Sequence, residues 1–293
     1  MVRHLFLPWD YLHTCDYDGE VPMTTNGHLP LETFGAELLK SLDLDPLYVI
    51  LNNGNLREDQ LKRWCFAYWC SYHAGVSSYL SEHEGEKFWD ILHVFAVNTV
   101  MSPLGETWPR GTERRHFRGE KAIKSVIWFM RKFDDPLQAV NSLPKSTFSS
   151  LRRRVMEWPQ FGPWIAFKVG DMMERVLRVP IDFSQSDIFM FDSPREAAEL
   201  WFGEKNFQTI PKTLEFLQQH LGDTLAPPSF DRRVNLQEFE TILCKWKSHL
   251  NDHYPIGKDS REILHGLEEW SGVSDTAKIL ANRAKGLPYA TGN

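Results

Sequence analysis

The chain has 293 residues, 42% apolar and 13% aromatic, long enough to bury a sizeable core and too apolar for a disordered chain. No uninterrupted apolar run reaches the roughly 18 residues a membrane span needs, and the opening MVRHLFLPWDYLHTCDYDGE turns acidic too early for a secretory signal. No membrane partner and a cytosolic protein are therefore expected. Four cysteines, at 15, 65, 70 and 244, are too few and too scattered for a disulfide framework or an iron-sulfur cluster, so no cofactor is expected.

The formal charge of -6 is unevenly divided. Between Trp108 and Arg178 stand fifteen Lys/Arg and seven Asp/Glu, a surplus of eight, which leaves 18 basic and 32 acidic residues elsewhere, a deficit of fourteen. A polyanion needs a local positive face and not a positive total, and this segment supplies one.

In chain order, His28-Leu29-Pro30, Asp45-Pro46 and Asn52-Asn53-Gly54 break short apolar stretches within the first 60 residues. Apolar spacing predicts largely buried helices over Arg63–Leu80, Lys87–Val100 and Glu120–Lys132. Asp134-Asp135-Pro136 and Leu143-Pro144 punctuate the next stretch, and Ser146 or Thr147 is placed to cap a helix through Glu157. Another helix is predicted from Pro163 to Leu177, then one through Trp201 with Ser193-Pro194-Arg195-Glu196 as its start, and two more over Thr209–His220 and Leu236–Leu250. Only short stretches such as Leu47–Leu51 read as strand. The fold class is mainly α, with two helical lobes or two small domains allowed by the length.

Glu157-Trp158-Pro159-Gln160-Phe161-Gly162-Pro163-Trp164 places a glycine turn between one helix and the next. Such a turn lets backbone N–H groups approach a DNA phosphate at a helix N-terminus. An ordinary helical hairpin with a Gly-Pro turn is the plainer reading of this stretch taken alone. With the aspartates beyond it, the stretch resembles the helix-hairpin-helix DNA glycosylase superfamily, whose hairpin precedes a helix and a catalytic aspartate. That resemblance implies a two-lobed glycosylase-like helical fold, with Gln160, Phe161, Gly162, Trp164 and Lys168 on the DNA side. Gln160 stands where the superfamily has its first glycine, and Trp164 stands where lyase-type members carry lysine, so strand cleavage through a Schiff base is not expected. Two aspartates compete for the acid position. Asp182 has the better distance from the hairpin, Asp187 has the better following apolar helix, and Asp182 is preferred; either also reads as a plain helix cap.

Arg110, Arg114, Arg115 and Arg118, with His116 among them, crowd into a segment framed by Gly111 and Gly119. Arginine forks bind phosphate oxygens in pairs, so a loop holding several is suited to more than one phosphate, although a solvated charged face has the same composition. Near the C-terminus, Cys244, His249 and His253 approach zinc-ligand spacing but lack a second cysteine, so no metal is expected. Lys245, Lys247, His249 and Lys258 read as a basic cluster or as a solvated helix face.

From Trp64 to Glu262 the chain resembles the bacteriophage α-glutamyl/putrescinyl thymine pyrophosphorylases, or amino acid:DNA transferases. The residues that carry the likeness are Tyr72-His73-Ala74-Gly75, Pro109-Arg110-Gly111, Glu113 through Gly119, the hairpin, Asp182-Phe183-Ser184, and Cys244 through His249. The resemblance implies a reaction other than base excision: a thymine in double-stranded DNA whose methyl carbon carries pyrophosphate exchanges it for the nitrogen of an amino acid, glycine foremost, or of a polyamine. It also implies residence in the cytoplasm of an infected bacterium. The four arginines would stabilise the departing pyrophosphate, Asp182 would stabilise an electron-poor methylene or accept a proton, and His116 would protonate the leaving group. Phe161 and Trp164 are candidate wedges for a flipped base. The expected organisation is a single catalytic domain over 1–293, with 1–60 as an extension and 235–293 as a helical segment packed on it.

Overall fold

A computed structural model describes residues 27–203 and 209–290; the acidic N-terminal stretch and Cys15 lie outside them. Among the described residues there are fourteen α-helices and no strand, apart from one isolated bridge between Leu225 and Arg233. The first nine helices are α1 Leu31–Lys40, α2 Pro46–Asn52, α3 Glu58–Ser71, α4 Ala74–Ser81, α5 Gly85–Val97, α6 Gly119–Lys132, α7 Pro136–Asn141, α8 Phe148–Val155 and α9 Pro163–Arg175. They are followed by α10 Asp192–Phe202, α11 Thr209–Leu221, α12 Leu236–Leu250, α13 Lys258–Trp270 and α14 Asp275–Ala284. The mainly α class read from the sequence holds.

The chain forms two compact units. Of the described residues, the larger comprises 41–181, 227–229 and 257–290, and the smaller comprises 27–40, 182–203, 209–226 and 230–256.

The larger unit is organised around aromatic side chains. Phe66 on α3 meets Trp89, Phe129 and Trp158 with ring centroids 5.4, 5.0 and 6.0 Å apart, the first two edge to face. Trp64, Trp69, Trp89 and Trp158 are each at most 2% exposed, so these tryptophans are core and not surface wedges. A buried ion pair joins three helices of this core: the Arg63 guanidinium reaches both Asp135 carboxylate oxygens at 3.2 Å, while that carboxylate also accepts from the backbone of Gly85 and Leu137. Every lone pair used there lowers the desolvation cost of the pair.

The predicted helix over Arg63–Leu80 is two helices. Tyr72 adopts φ +51 and ends α3, and His73 caps α4 by accepting the Val76 N–H at its Nδ1. Gly75 then lets α4 close on α13, since a Cβ there would lie 2.3 Å from the Gly266 carbonyl oxygen. Leu47–Leu51, read as strand-like, belongs to α2 instead. All five of its residues are buried, so no alternation survives to mark the helical period, and Pro46 opens the helix at its first position. Asp134-Asp135-Pro136 likewise starts a helix as well as ending one, with Asp135 as the cap and Pro136 at the first position of α7.

In the smaller unit α12 packs against α1 and α10. Its start is a capping box, Asn235 with Glu238, and Glu238 also takes both prongs of Arg232 at 3.0 Å. The helix through Trp201 begins at Asp192, one residue ahead of the predicted Ser193 start, with Phe191 in the cap position.

Candidate active site

The hairpin is a tight turn between α8 and α9. Ser125 on α6 donates its hydroxyl to the Pro159 carbonyl at 2.7 Å, and the Phe161 N–H donates to the Trp158 carbonyl. Gln160, the residue in place of a glycine, takes φ +68, the left-handed backbone that glycine adopts without steric cost. Gly162 is the extended, solvent-facing cap residue of α9, and a Cβ there would meet nothing within 4 Å. Pro163 occupies the first helical position and no side chain caps this end, so the α9 N-terminus keeps its positive dipole end at the turn.

The arginine segment lies against this turn. It begins where Gly111 donates its N–H to Ser71 at the end of α3. Glycine is needed there because a Cβ would fall 2.4 Å from the Tyr72 carbonyl oxygen. A short 3-10 turn, Thr112–Arg114, then drives Arg114 inward. Its guanidinium lies 4.6 Å from the Phe117 ring and 4.9 Å from the Phe161 ring, donates from Nη1 to the Gln160 carbonyl at 2.8 Å, and donates from Nε to the Cys70 carbonyl at 3.4 Å. Arg114 thus holds the strained hairpin residue in place. Its Nη2 is buried without a hydrogen-bond partner among the described residues. Burial lowers the Arg114 pKa to about 10, so the group remains charged at neutral pH.

The other three arginines differ. Arg110 is an internal strut, donating to the Phe117, Trp108 and Phe95 carbonyls and to Asn98 while stacking on Phe95, and burial lowers its pKa also to about 10. Arg115 is exposed and uses one nitrogen on the Thr112 carbonyl. Arg118 is exposed and precedes Gly119, whose φ of +69 turns the chain into α6. His116 is exposed between them.

Phe161 is 5% exposed and belongs to the core, in edge contact with Trp158 and Phe129. Trp164 is half-buried with its ring 5.3 Å from Tyr72. Lys168, expected on the DNA side, is 8% exposed with Nζ 3.6 Å from Asp171, inside the unit.

Asp182 and Asp187 belong to the smaller unit and are both exposed. The Asp182 carboxylate accepts the Ser184 N–H at 2.8 Å, and that of Asp187 accepts the Phe189 N–H at 3.0 Å, capping a 3-10 turn over Ile188–Met190. Phe183, Ile188 and Phe189 are buried and anchor the segment from which both carboxylates project.

The C-terminal basic residues are largely occupied by their own unit. Lys245 lies over the Tyr254 ring, Lys247 pairs with Glu196, and His249 accepts the Leu29 N–H at Nε2 while stacking on Phe34. Lys258 falls in the other unit, 3.8 Å from Glu262. Cys244 donates its thiol to Glu240, and among the described residues no three His, Cys, Asp or Glu side chains gather as metal ligands. No helix of the described residues is long and apolar enough to cross a membrane.

One residue beside this region has a role that only the fold assigns: His73, at the start of α4, has its pKa lowered to about 4 by burial and by His265, and is neutral.

The amino acid:DNA transferase family profile matches residues 36–254. A glycinyltransferase of Pseudomonas phage PaMx11 is 43% identical over 274 residues, covering 85% of this chain and 94% of that protein. A putrescinyltransferase of Delftia phage PhiW-14 is 28% identical over 255 residues, covering 82% and 78% respectively. The family match takes in the arginine turn, the hairpin and both aspartates, and the chain belongs to the amino acid:DNA transferase family.

Proposed function

We propose that this DNA-modifying transferase replaces the pyrophosphate on the methyl carbon of a modified thymine in double-stranded DNA with the nitrogen of an amino acid, glycine foremost. The observation that carries the reading is Arg114, a buried cation with an unsatisfied donor next to a helix N-terminus. A buried N–H without an acceptor is costly, and an anionic oxygen at this turn would satisfy it. Arg115 and Arg118 are exposed on the same loop and add charge for the leaving pyrophosphate, while Arg110 shapes the loop from within.

The reaction cleaves carbon-oxygen and forms carbon-nitrogen, with the electron pair departing on pyrophosphate. Asp182 is the preferred group to stabilise the electron-poor methylene, Asp187 the second choice, and His116 the donor of a proton to the leaving group. The hairpin around Gln160 and Gly162 holds a backbone phosphate in the manner of helix-hairpin-helix glycosylases, whose fold this chain is read as sharing. Trp164 is exposed enough to stack on a flipped base, a role to which the burial of Phe161 gives no support. Lys245, Lys247, His249 and Lys258 remain secondary candidates for meeting DNA. The glycinyltransferase likeness supports glycine over a polyamine, and the phage relatives support action in the cytoplasm of an infected bacterium.

The test is to supply DNA carrying 5-pyrophosphoryloxymethyluracil with a panel of amines, digest it, and identify the nucleosides by mass spectrometry. A new nucleoside with glycine attached is expected; no new nucleoside with any amine would refute the reading. Asp182→Asn should abolish the product while DNA binding persists, and undiminished product would move the role to Asp187.

A further inference from the structure

Exposed large apolar side chains are sparse, and among the described residues only Val100 and Met101 stand next to each other in the chain, 52% and 62% exposed. Single exposed apolar residues are ordinary; two in succession on a built loop are not. The loop runs from the end of α5 to Trp108 and is fixed on both sides of the pair. Before it, Asn98 at φ +64 ends α5 by donating its N–H to the Val94 carbonyl. After it, Ser102 is buried and closes a turn. Its N–H donates to the Glu106 carbonyl at 2.7 Å, its carbonyl accepts the Gly105 N–H at 2.9 Å, and its hydroxyl accepts the Leu104 N–H at 3.2 Å. Val100 and Met101 are thus held out between two anchored residues, with little chain entropy left to lose on contact.

Arg110 joins this loop to the arginine turn. Its guanidinium donates to the Phe95 carbonyl and the Asn98 side chain where the loop begins, to the Trp108 carbonyl at 2.9 Å where it ends, and to the Phe117 carbonyl at 3.0 Å. Trp108 packs edge to face on Phe95 with centroids 5.8 Å apart, which closes the root of the loop. Asn98 is two residues from Val100, and Phe117 adjoins His116 and Arg118, so the apolar pair and the exposed cations spring from one hydrogen-bonded root. Residues 98–108 carry a single charge, Glu106, whereas the turn over 110–118 sets four arginines against Glu113. An apolar projection beside a cationic turn matches duplex DNA, whose phosphates meet the cations and whose stacked bases meet the apolar side chain.

We infer that Met101, with Val100 beside it, is the wedge that enters the base stack of duplex DNA and holds the target thymine out of the helix. The inference rests on the transferase reading. Extruding a base breaks its stacking and pairing, and an apolar side chain in the vacated space offsets that loss. Methionine suits the place, since its unbranched, polarizable thioether adapts to an irregular gap and contacts aromatic rings favourably. Val100, branched at Cβ, is stiffer and buttresses it. Trp164 keeps the role of stacking on the extruded base, and Met101 takes the inserting role for which Phe161 is too deeply buried.

The experiment compares the full chain with Met101→Ala and Val100→Ala on 5-pyrophosphoryloxymethyluracil in duplex and in single-stranded DNA, with glycine as donor. A second readout follows the fluorescence of 2-aminopurine placed beside the target in the duplex, without amine. Thermal melting and sedimentation are recorded for each chain. The full chain should raise the 2-aminopurine signal. Met101→Ala should lose that rise and about tenfold or more in kcat/KM on the duplex, while its single-strand rate stays within about twofold, because a single strand has no paired stack to open. Val100→Ala should lose less, and melting should not change, as both side chains are exposed. No duplex loss in Met101→Ala, or equal losses on the two DNA forms, overturns the wedge alone. So does a self-associated chain that Met101→Ala converts to monomers, which would assign the pair to contact between two copies. A full chain that yields no amine-bearing nucleoside on either DNA form with any donor brings down the transferase reading and the wedge with it.

Discussion

Arg114 combines two duties that are ordinarily separate. It fastens the carbonyl of a residue held at positive φ, and it keeps one donor buried and unanswered. Lysine at that position keeps the charge but loses the planar fork, so Arg114→Lys is expected to lower kcat about a hundredfold and to destabilise the fold by about 1–3 kcal/mol. Turnover and thermal melting check both figures, and a variant with wild-type turnover would deny the arginine its place at the leaving group. His73 provides a separate test at the same scale. Its folded pKa of about 4 lies below the ordinary value of 6.5, so the folded chain binds fewer protons than the unfolded one. The stability tied to His73 is therefore complete above about pH 6.5 and is lost as the pH falls toward 4, by about 3 kcal/mol in all. Asparagine can keep the cap on α4 without titrating. Melting curves between pH 7 and 4.5 should show a steeper loss in the wild-type chain than in His73→Asn, and equal slopes would contradict the assignment.

At the scale of elements, the arginine turn is positioned by a close approach of backbones. The missing side chain of Gly111 admits the Tyr72 carbonyl, and the resulting contact aims Arg114 at the hairpin. Gly111→Ala is expected to displace the turn, with a melting loss of about 1–3 kcal/mol and a fall in turnover larger than the fold loss explains, measured at a temperature where the variant remains folded. The hairpin is legible in the sequence because Gly162 and Pro163 are punctuation with a local physical meaning, and α6, α9, α11 and α12 are legible because they keep apolar periodicity. Helix α2 is not, since a wholly buried helix loses the alternation that identifies it. The break at Tyr72 is hidden as well, because a left-handed tyrosine is imposed by tertiary contacts and carries no turn signature. Charge composition flags the arginine segment as a whole. It does not separate Arg110, consumed by four internal acceptors, from the exposed Arg115 and Arg118, a distinction that only the fold creates.

For the whole molecule, the uneven charge explains how an acidic protein acts on a polyanion. The positive surplus between Trp108 and Arg178 contains both the arginine turn and the hairpin, while Asp182 and Asp187 stand just beyond it. The family likeness is readable because it consists of short strings, and the profile match over 36–254 runs through those strings. On the proposed reaction the pyrophosphate-bearing methyl carbon reacts and the glycosidic bond does not. The most direct measurement follows pyrophosphate release, glycine-bearing nucleoside and abasic sites together in one reaction on 5-pyrophosphoryloxymethyluracil DNA with glycine. Pyrophosphate and the new nucleoside should appear in equal amounts with no abasic sites. Abasic sites or free base in place of the new nucleoside would contradict the account.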